Sequence, residues 1–267
     1  MEFRTIVDIP DSGFRIAPCE PMLFVGSCFA TEIGQRFQQE GFPVTVNPFG
    51  TMYNPASILH TIQREEVTYK TAFLTLGTNH VYRLKETGDI VDNCEKRPQS
   101  LFTEEDLSVE ACADYLRQAI TLLREKNPDI RIVLTVSPIR YRKYGYHASQ
   151  LSKATLLLAI QKVSENQCES VAYFPAYEIM NDELRDYRFY ASDMLHPSAQ
   201  AVEYIWERLV ETYLSDEAKT FLAEWAPLKA ALNHKPFDPE SQEYKAFMHK
   251  TMLKVEALRK KYPTFAL

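Results

Sequence analysis

The feature that most constrains the fold is a regular alternation of short apolar runs with longer segments of helical periodicity. Five runs are rich in β-branched and aromatic residues, and they occupy residues 22–25, 44–46, 72–76, 131–136 and 171–174. Helical patterns separate them. Such alternation is typical of βαβ units, in which helices cover both faces of a mainly parallel sheet. The sequence therefore predicts an α/β fold with three layers.

The predicted helices lie between these strands, at residues 31–40, 55–64, 103–126, 149–166 and 197–213. Asn54 precedes Pro55, and proline is favoured at the first helical position. Thr103 and Asp106 have the spacing of a capping box, which predicts that the third helix begins at Thr103. Residues 84–98 interrupt the rhythm and predict a small inserted β-hairpin that turns at residues 87–88.

The pattern changes after residue 215, where only helical periodicity is left. Met248, Met252, Val255 and Leu258 mark one apolar face in this part of the chain. We therefore predict an α/β domain over residues 1–215 and a C-terminal helical extension over residues 216–267 that docks on it. An arm that binds a partner protein is the alternative interpretation, because periodicity shows only that a face is buried.

Composition excludes several classes of protein. The chain has 267 residues, 45% of them hydrophobic, which is enough for a sizeable core. Its net charge of -6 argues against a nucleic-acid partner, which would need a clustered basic excess. The N-terminus does not resemble a secretory signal, and no apolar run approaches the roughly 18 residues of a membrane span.

The cysteine pattern and the absence of nucleotide-binding motifs exclude further classes of protein. The five cysteines are irregularly spaced and form no C-x-x-C pair: Cys19, Cys28, Cys94, Cys112 and Cys168. An odd, scattered set is typical of a reduced, cytoplasmic chain without a structural zinc site. A P-loop and a G-x-G-x-x-G motif are both absent, so we expect no nucleotide cofactor and no metal.

Polar residues follow the predicted strands where a parallel sheet would bind a ligand. Ser27 follows the first strand, Gly50 the second, Asn79 the third and Arg140 the fourth. A serine at a strand-to-helix junction exposes its hydroxyl over the sheet edge and places its N–H at a helix N-terminus, where it can donate to an oxyanion. Ser27 as a simple helix cap is the alternative.

His196 is the histidine best placed to serve as a base for such a serine. It lies directly before a predicted helix, and Asp193 precedes it by three residues in the segment SDMLHP. In one loop this spacing brings a carboxylate to the imidazole, as in a Ser-His-Asp site. Local loop and capping contacts are the alternative, because an isolated D-x-x-H is common.

Four stretches together resemble the GSCFA family, which belongs with the SGNH/GDSL-like hydrolases: VGSCFATEIGQRF, TLGTNHVYR, QLSKATLLLAI and FYASDMLHPS. The resemblance covers about residues 20 to 215. It implies a flavodoxin-like α/β/α fold with an early serine nucleophile and a late D-x-x-H. Carried over by position, Ser27 is the nucleophile, His196 the general base and Asp193 the residue that orients it.

The resemblance also implies an oxyanion hole. Its donors would be the backbone N–H groups of Ser27 and Gly50 and the side chain of Asn79. His80 stands where the related motif has an aspartate, and Gly26 directly precedes Ser27 where the related motif has Gly-Asp-Ser. Cys28 is a rival nucleophile, since a thiol at a helix N-terminus tends to a lowered pKa, although we expect its side chain to face the packed interior.

The function that these residues imply is an esterase or deacylase that acts on a small or carbohydrate-linked acyl ester, without a cofactor. His80, Arg140 and His147 are candidate pocket-lining residues. Solvent-exposed histidines and, for Arg140, a solvated basic loop are the alternative interpretation of these residues, because charge clusters usually face water. An acyltransferase would use the same triad. A non-catalytic binding module on the same scaffold is the alternative from another class, because a fold does not fix a function.

Overall fold

The computed structural model describes residues 4–66, 68–92, 94, 97–164 and 170–267. Within them lie the strands β1 (Met22–Gly26), β2 (Val44–Val46), β3 (Thr71–Leu76), β4 (His80–Leu84), β5 (Ile90–Val91), β6 (Phe102–Asp106), β7 (Arg131–Val136) and β8 (Val171–Tyr173). The central sheet has the order β2-β1-β3-β7-β8, and each neighbouring pair is parallel. Numbered along the sheet's own strands, this is the flavodoxin-like order 2-1-3-4-5. The α/β/α prediction is confirmed.

The helices of the same residues are α1 (Cys28–Gln39), α2 (Pro55–Arg64), α3 (Val109–Lys126), α4 (Gly145–Ser164), α5 (Ala176–Glu178), α6 (Ala199–Tyr213), α7 (Asp216–Leu232) and α8 (Gln242–Lys261). A π-helical turn (Ile179–Leu184) continues α5. None of the helices in the described segments has the length and apolar character needed to cross a membrane.

The central strands are buried on both faces, and their alternate residues enter two separate cores. On β1, Phe24 faces the core formed with α1, α6 and the C-terminal helices, where it stacks on Phe73 at 4.3 Å between ring centroids. Leu23 and Val25 face the core formed with α2, α3 and α4. This explains why the strands read as continuous apolar runs rather than as alternating ones.

A second, antiparallel sheet in the order β5-β4-β6 follows the third central strand. The predicted start of α3 at Thr103 is wrong, because Thr103 lies in β6 opposite Arg83 of β4. The helix begins after Ser108, whose side chain accepts a hydrogen bond from the Ala111 N–H. The antiparallel strands span residues 80–106, and residues 93, 95 and 96 of the predicted hairpin lie outside the described segments.

The C-terminal helices contact the end of α1. The Trp225 indole N–H donates to the Gln39 carbonyl at 3.3 Å, and Phe221 packs edge-on against Phe42. Phe265, near the C-terminus, lies 4.9 Å from the Trp225 ring and is buried. These contacts join the C-terminal helices to the core that also contains Phe24 and Phe73 of the sheet. The division into domains at residue 215 stays a prediction.

Candidate active site

The strand order of the sheet reverses between β1 and β3, and this is where ligands bind in open α/β sheets. Ser27 follows β1 directly, and Gly77 follows β3. Gly77 leaves space beside Ser27, because a Cβ added to Gly77 would come within 3.4 Å of the Cβ of Ser27. The predicted nucleophile therefore lies at the position where the fold itself favours a binding site.

The turn before Ser27 requires a glycine. Gly26 has a φ of +143°, and a Cβ on it would lie 2.1 Å from the Thr75 carbonyl oxygen of β3. Its N–H donates to the side-chain Oδ1 of Asn47 at 2.8 Å. The next N–H, that of Ser27, donates to Thr75 O at 3.1 Å. The end of β1 is thus fixed against both neighbouring strands.

Ser27 caps helix α1. Its Oγ accepts the Phe29 N–H at 3.3 Å, and the residue is only 2% exposed. Within the described segments, no hydrogen bond joins this Oγ to the His196 ring. The capping role anticipated from sequence is therefore present, and the nucleophile role stays a prediction.

Cys28 is placed differently from our expectation. Its side chain is partly exposed, and the Sγ lies 3.8 Å from the Tyr53 hydroxyl. The expectation that Cys28 faces the packed interior is wrong. The helix begins at Cys28 rather than at Thr31, so Ser27 keeps the extended conformation of a cap and Cys28 turns outward as the first helical residue.

Asp193 and His196 form a tight local unit. Asp193 Oδ2 and His196 Nδ1 are 2.6 Å apart, while Asp193 Oδ1 accepts the N–H groups of Leu195 and His196 at 2.8 and 3.0 Å. The backbone bonds from His196 and Leu195, followed by the imidazole bond, lower the pKa of Asp193 well below its usual range. The carboxylate is therefore ionised at neutral pH and holds the imidazole in one orientation, with Nε2 left for a substrate or a serine.

Arg140 connects this loop to the sheet. Its N–H donates to Leu195 O at 3.0 Å, and its Nη1 donates to Met194 O at 3.1 Å. The guanidinium lies over the rings of Tyr146 and Tyr190, 4.2 and 5.2 Å from their centroids. Arg140 comes four residues after β7, so it places the His196 loop at the same sheet edge as Ser27.

Each predicted oxyanion donor has an acceptor inside the protein. The Ser27 N–H bonds Thr75 O, the Gly50 N–H bonds Asn47 O at 2.9 Å, and Asn79 Nδ2 bonds Leu107 O at 2.8 Å. A backbone N–H carries one proton, whereas an amide side chain carries two. The second amide proton of Asn79 has no acceptor among the described residues, and the residue is buried. Gly50 has a φ of +93°, a backbone conformation that favours glycine, so the presence of glycine at this position has a conformational explanation.

The other candidate residues differ in their surroundings. His80 is buried: its Nδ1 bonds Asp106 Oδ1, its ring lies 4.3 Å from that of Tyr144, and its Nε2 has no partner within the described segments. His147 is exposed in the first turn of α4. The pocket-lining roles of His80, Arg140 and His147 stay predictions.

Sequence reasoning missed two residues of helix α4 at this edge. The Lys153 ammonium donates to Gly77 O and Ser137 O at 2.7 and 2.8 Å, and Ser152 Oγ accepts the Asn79 N–H at 3.0 Å. The available signal was a lysine on the buried face of the helix, in register with Leu156 and Ile160. Across the described residues, no group of His, Cys, Asp and Glu side chains could hold a metal ion.

The fold and this edge define a doubly wound α/β protein with a serine at the switch point and a histidine–aspartate pair in a loop bonded to Arg140, four residues after β7. The chain belongs to the GSCFA family: the family model matches residues 21–71 and 64–209. The model described as "GSCFA domain protein, C-terminal domain" matches residues 225–267. No curated protein sequence matches the chain.

Solved structures with a similar arrangement share little sequence with this chain. One described as a GDSL-like lipase from Parabacteroides merdae has a TM-score of 0.49 and 12% identity over 76% of this chain and 98% of its own. A variant of Axe2, an acetyl-xylooligosaccharide esterase from Geobacillus Stearmophilus, has a TM-score of 0.46 and 13% identity over 74% and 96%. A carbohydrate esterase family 3 protein from Talaromyces cellulolyticus has a TM-score of 0.41 and 11% identity over 71% and 94%.

Proposed function

We propose that this protein is a serine hydrolase of the SGNH type, an esterase or deacylase that acts on a small or carbohydrate-linked acyl ester. The observation that carries the proposal is the locked Asp193–His196 pair, whose loop is tied through Arg140 to the sheet edge where β1 ends in Ser27. The family membership of the chain supports the same roles for these residues.

In the proposed reaction, His196 Nε2 takes the Ser27 hydroxyl proton while Oγ attacks the ester carbonyl. The alcohol leaves with the proton from the imidazolium, and an acyl-enzyme forms on Ser27. Water, activated by the same imidazole, then releases the acid. Asp193 stabilises the imidazolium. The Phe29 N–H occupies one acceptor site of the Ser27 Oγ and does not use the hydroxyl proton, and catalytic hydrogen bonds often form only when substrate is bound.

The proposed oxyanion donors are the Asn79 side chain and the N–H groups of Ser27 and Gly50. Asn79 is the most direct of the three, because its second amide proton is not used by Leu107. The two backbone donors would have to exchange Thr75 O and Asn47 O for the oxyanion. An acyltransferase would use the same groups, with an alcohol in place of water in the second step.

A non-catalytic binding module is the second candidate, and one observation favours it. Ser27 is buried, its Oγ serves the Phe29 N–H, and its N–H is already bonded to Thr75 O. This is the bonding expected of a serine that only caps a helix.

A fluorophosphonate probe separates the two candidates, because it labels only an activated serine. We expect the full chain to be labelled at Ser27, the Cys28→Ala variant to be labelled equally, and the Ser27→Ala variant to remain unlabelled. Ser27→Ala should also lower the hydrolysis of p-nitrophenyl acetate by several orders of magnitude. An unlabelled wild-type chain, or a Ser27→Ala variant of normal activity, would contradict the proposed function.

A further inference from the structure

Lys153 is a buried cation at the candidate active site. The residue is 3% exposed, and its ammonium lies between Gly77 O and Ser137 O at 2.7 and 2.8 Å. These carbonyls belong to the residues that directly follow β3 and β7. Through Lys153, helix α4 therefore links the ends of the two neighbouring strands β3 and β7.

The bonding of this lysine differs from that of the buried carboxylates. Glu20 pairs with Arg131, and Glu40 pairs with Arg36. In the described segments, no carboxylate lies within ion-pair distance of the Lys153 ammonium, and its partners are carbonyl dipoles. A buried charge without a counter-charge is costly, and such groups are concentrated at functional sites.

The residues that Lys153 and its neighbour hold are those that surround Ser27. Gly77 lies next to Ser27, since a Cβ added to it would come within 3.4 Å of the Ser27 Cβ. Ser152 Oγ lies 2.9 Å from Thr78 Oγ1 and accepts the Asn79 N–H at 3.0 Å. Two consecutive side chains of α4 thus fix all three residues that follow β3, including the proposed oxyanion donor Asn79.

We propose that Lys153 is a positioning residue of this site, which fixes the loop after β3 and places a positive charge beneath the edge where an oxyanion would form. The inference rests on the proposed serine-hydrolase function. Electrostatic groups held in place before the reaction act most strongly in a buried, water-poor site.

The protonation of Lys153 then sets the alkaline limb of activity. Burial lowers the pKa of Lys153 to about 7. The Lys153 Nζ lies 5.9 Å from the ring centroid of Tyr177 in α5. Burial raises the pKa of the Tyr177 phenol, so the phenol stays neutral at about pH 7. Glu178 of the same helix bonds Tyr173 OH. Gly77 and Ser137 contribute only carbonyl groups. The cation is present below about pH 7 and is lost above it, whereas His196 must be neutral to act as a base.

The test compares Lys153→Met with Lys162→Met, which removes an exposed lysine of the same helix that is paired with Glu110. Hydrolysis of p-nitrophenyl acetate is followed from pH 5 to 9, together with chemical denaturation. We expect Lys153→Met to lower kcat by about tenfold to hundredfold with little change in KM and to remove the alkaline limb. Lys153→Arg should restore part of kcat, and Lys162→Met should behave as the wild type.

Two results would overturn the inference. One is a folded Lys153→Met variant with wild-type kcat and an unchanged alkaline limb, while Ser27→Ala is inactive. The other needs no variant: it is an NMR titration of the Lys153 ε-amine in the wild-type chain that gives a pKa of about 10.4, the value of a free lysine, rather than one near the midpoint of the alkaline limb. If Ser27→Ala keeps full activity, the proposed function fails instead, and the two failures are distinguishable.

Discussion

Asn47 holds the last residue of strand β1 through its side chain: its Oδ1 accepts the Gly26 N–H at 2.8 Å, and its Nδ2 donates to Thr31 Oγ1 at 3.0 Å. Asn47 itself has a φ of +44°, a conformation that asparagine adopts more readily than most residues. One residue of the second strand's loop therefore connects the turn before Ser27 to helix α1.

Replacing Asn47 should destabilise this turn. We expect Asn47→Ala to lower the free energy of unfolding by about 1–3 kcal/mol, because the Gly26 N–H loses its acceptor and alanine tolerates the positive φ poorly. Asn47→Asp keeps the acceptor and should lose less. Urea denaturation measures both variants, and equal stability of Asn47→Ala and the wild type would contradict the role of this contact.

The Asp193 carboxylate should stay ionised in acid. Its pKa is lowered in the folded state, so the contribution to stability is complete above the unfolded value of about 3.9 and is lost as the pH falls through the folded value. NMR titration of the Asp193 carboxyl carbon should therefore show a midpoint below 3.9. In the His196→Ala variant the two backbone N–H bonds to Asp193 Oδ1 remain and only the imidazole bond is lost. The Asp193 midpoint should therefore rise only part of the way towards about 3.9. A midpoint at or above about 3.9 for Asp193 in the wild-type chain would contradict the claim that these hydrogen bonds stabilise the Asp193 carboxylate.

Arg140 should matter more than its neighbour Arg142. Arg140→Ala removes the guanidinium bond to Met194 O and the contacts with Tyr146 and Tyr190, so the His196 loop is held less firmly. We expect kcat/KM to fall about tenfold or more, since small displacements of a catalytic group are costly. Arg142→Ala, at an exposed position, is the control. Equal activity of both variants would show that the loop does not need Arg140.

The C-terminal helices should stabilise the α/β body. Trp225→Ala would open a cavity against Gln39 and Phe265, and we expect a loss of about 3–5 kcal/mol in the free energy of unfolding. Phe237→Ala, at a fully exposed position, should change it by less than about 0.5 kcal/mol. If Trp225→Ala is as stable as the Phe237 variant, residues 216–267 are an independent arm, as the alternative interpretation of the sequence held.

The sequence predicted the central sheet well because its signal is local. A short run of residues such as Arg131–Val136 is buried on both faces, and its composition alone is strand-like. Thr103 was assigned to a helix because Thr-x-x-Asp looks like a capping box. The partner that makes it a strand, Arg83 of β4, is 20 positions earlier in the chain and outside any local pattern.

The sequence names the candidate site residues, and only the structure gives their geometry. Ser27, Asp193 and His196 come from motif and spacing, and the Asp193–His196 bond follows from three-residue spacing in one loop. The structure buries Ser27 as the cap of α1 and leaves Cys28, the first helical residue, partly exposed, and the sequence pattern does not locate the start of the helix closely enough to show this. The carbonyls that receive the Lys153 ammonium come from two other strands, so no local pattern could reveal them.

Because Cys28 is partly exposed, thiol alkylation can test whether a group added at this position blocks the candidate active site. Cys28 is partly exposed beside Ser27, whereas burial raises the pKa of the Cys19 and Cys112 thiols to about 12 and keeps both unreactive. A carboxamidomethyl group on Cys28 would occupy the space next to Tyr53, whose carbonyl oxygen accepts the Gly77 N–H at 2.8 Å.

We therefore expect iodoacetamide to lower the esterase activity of the wild-type chain by about tenfold or more, because the added group blocks access to Ser27. Cys28→Ala should keep most of its activity without reagent and be resistant to it. Mass spectrometry of the modified peptides gives the site, and p-nitrophenyl acetate hydrolysis gives the activity. If Cys28→Ala is itself inactive while Ser27→Ala is active, the thiol is the nucleophile and the serine only caps the helix. If both variants are active, the reaction takes place elsewhere on the chain.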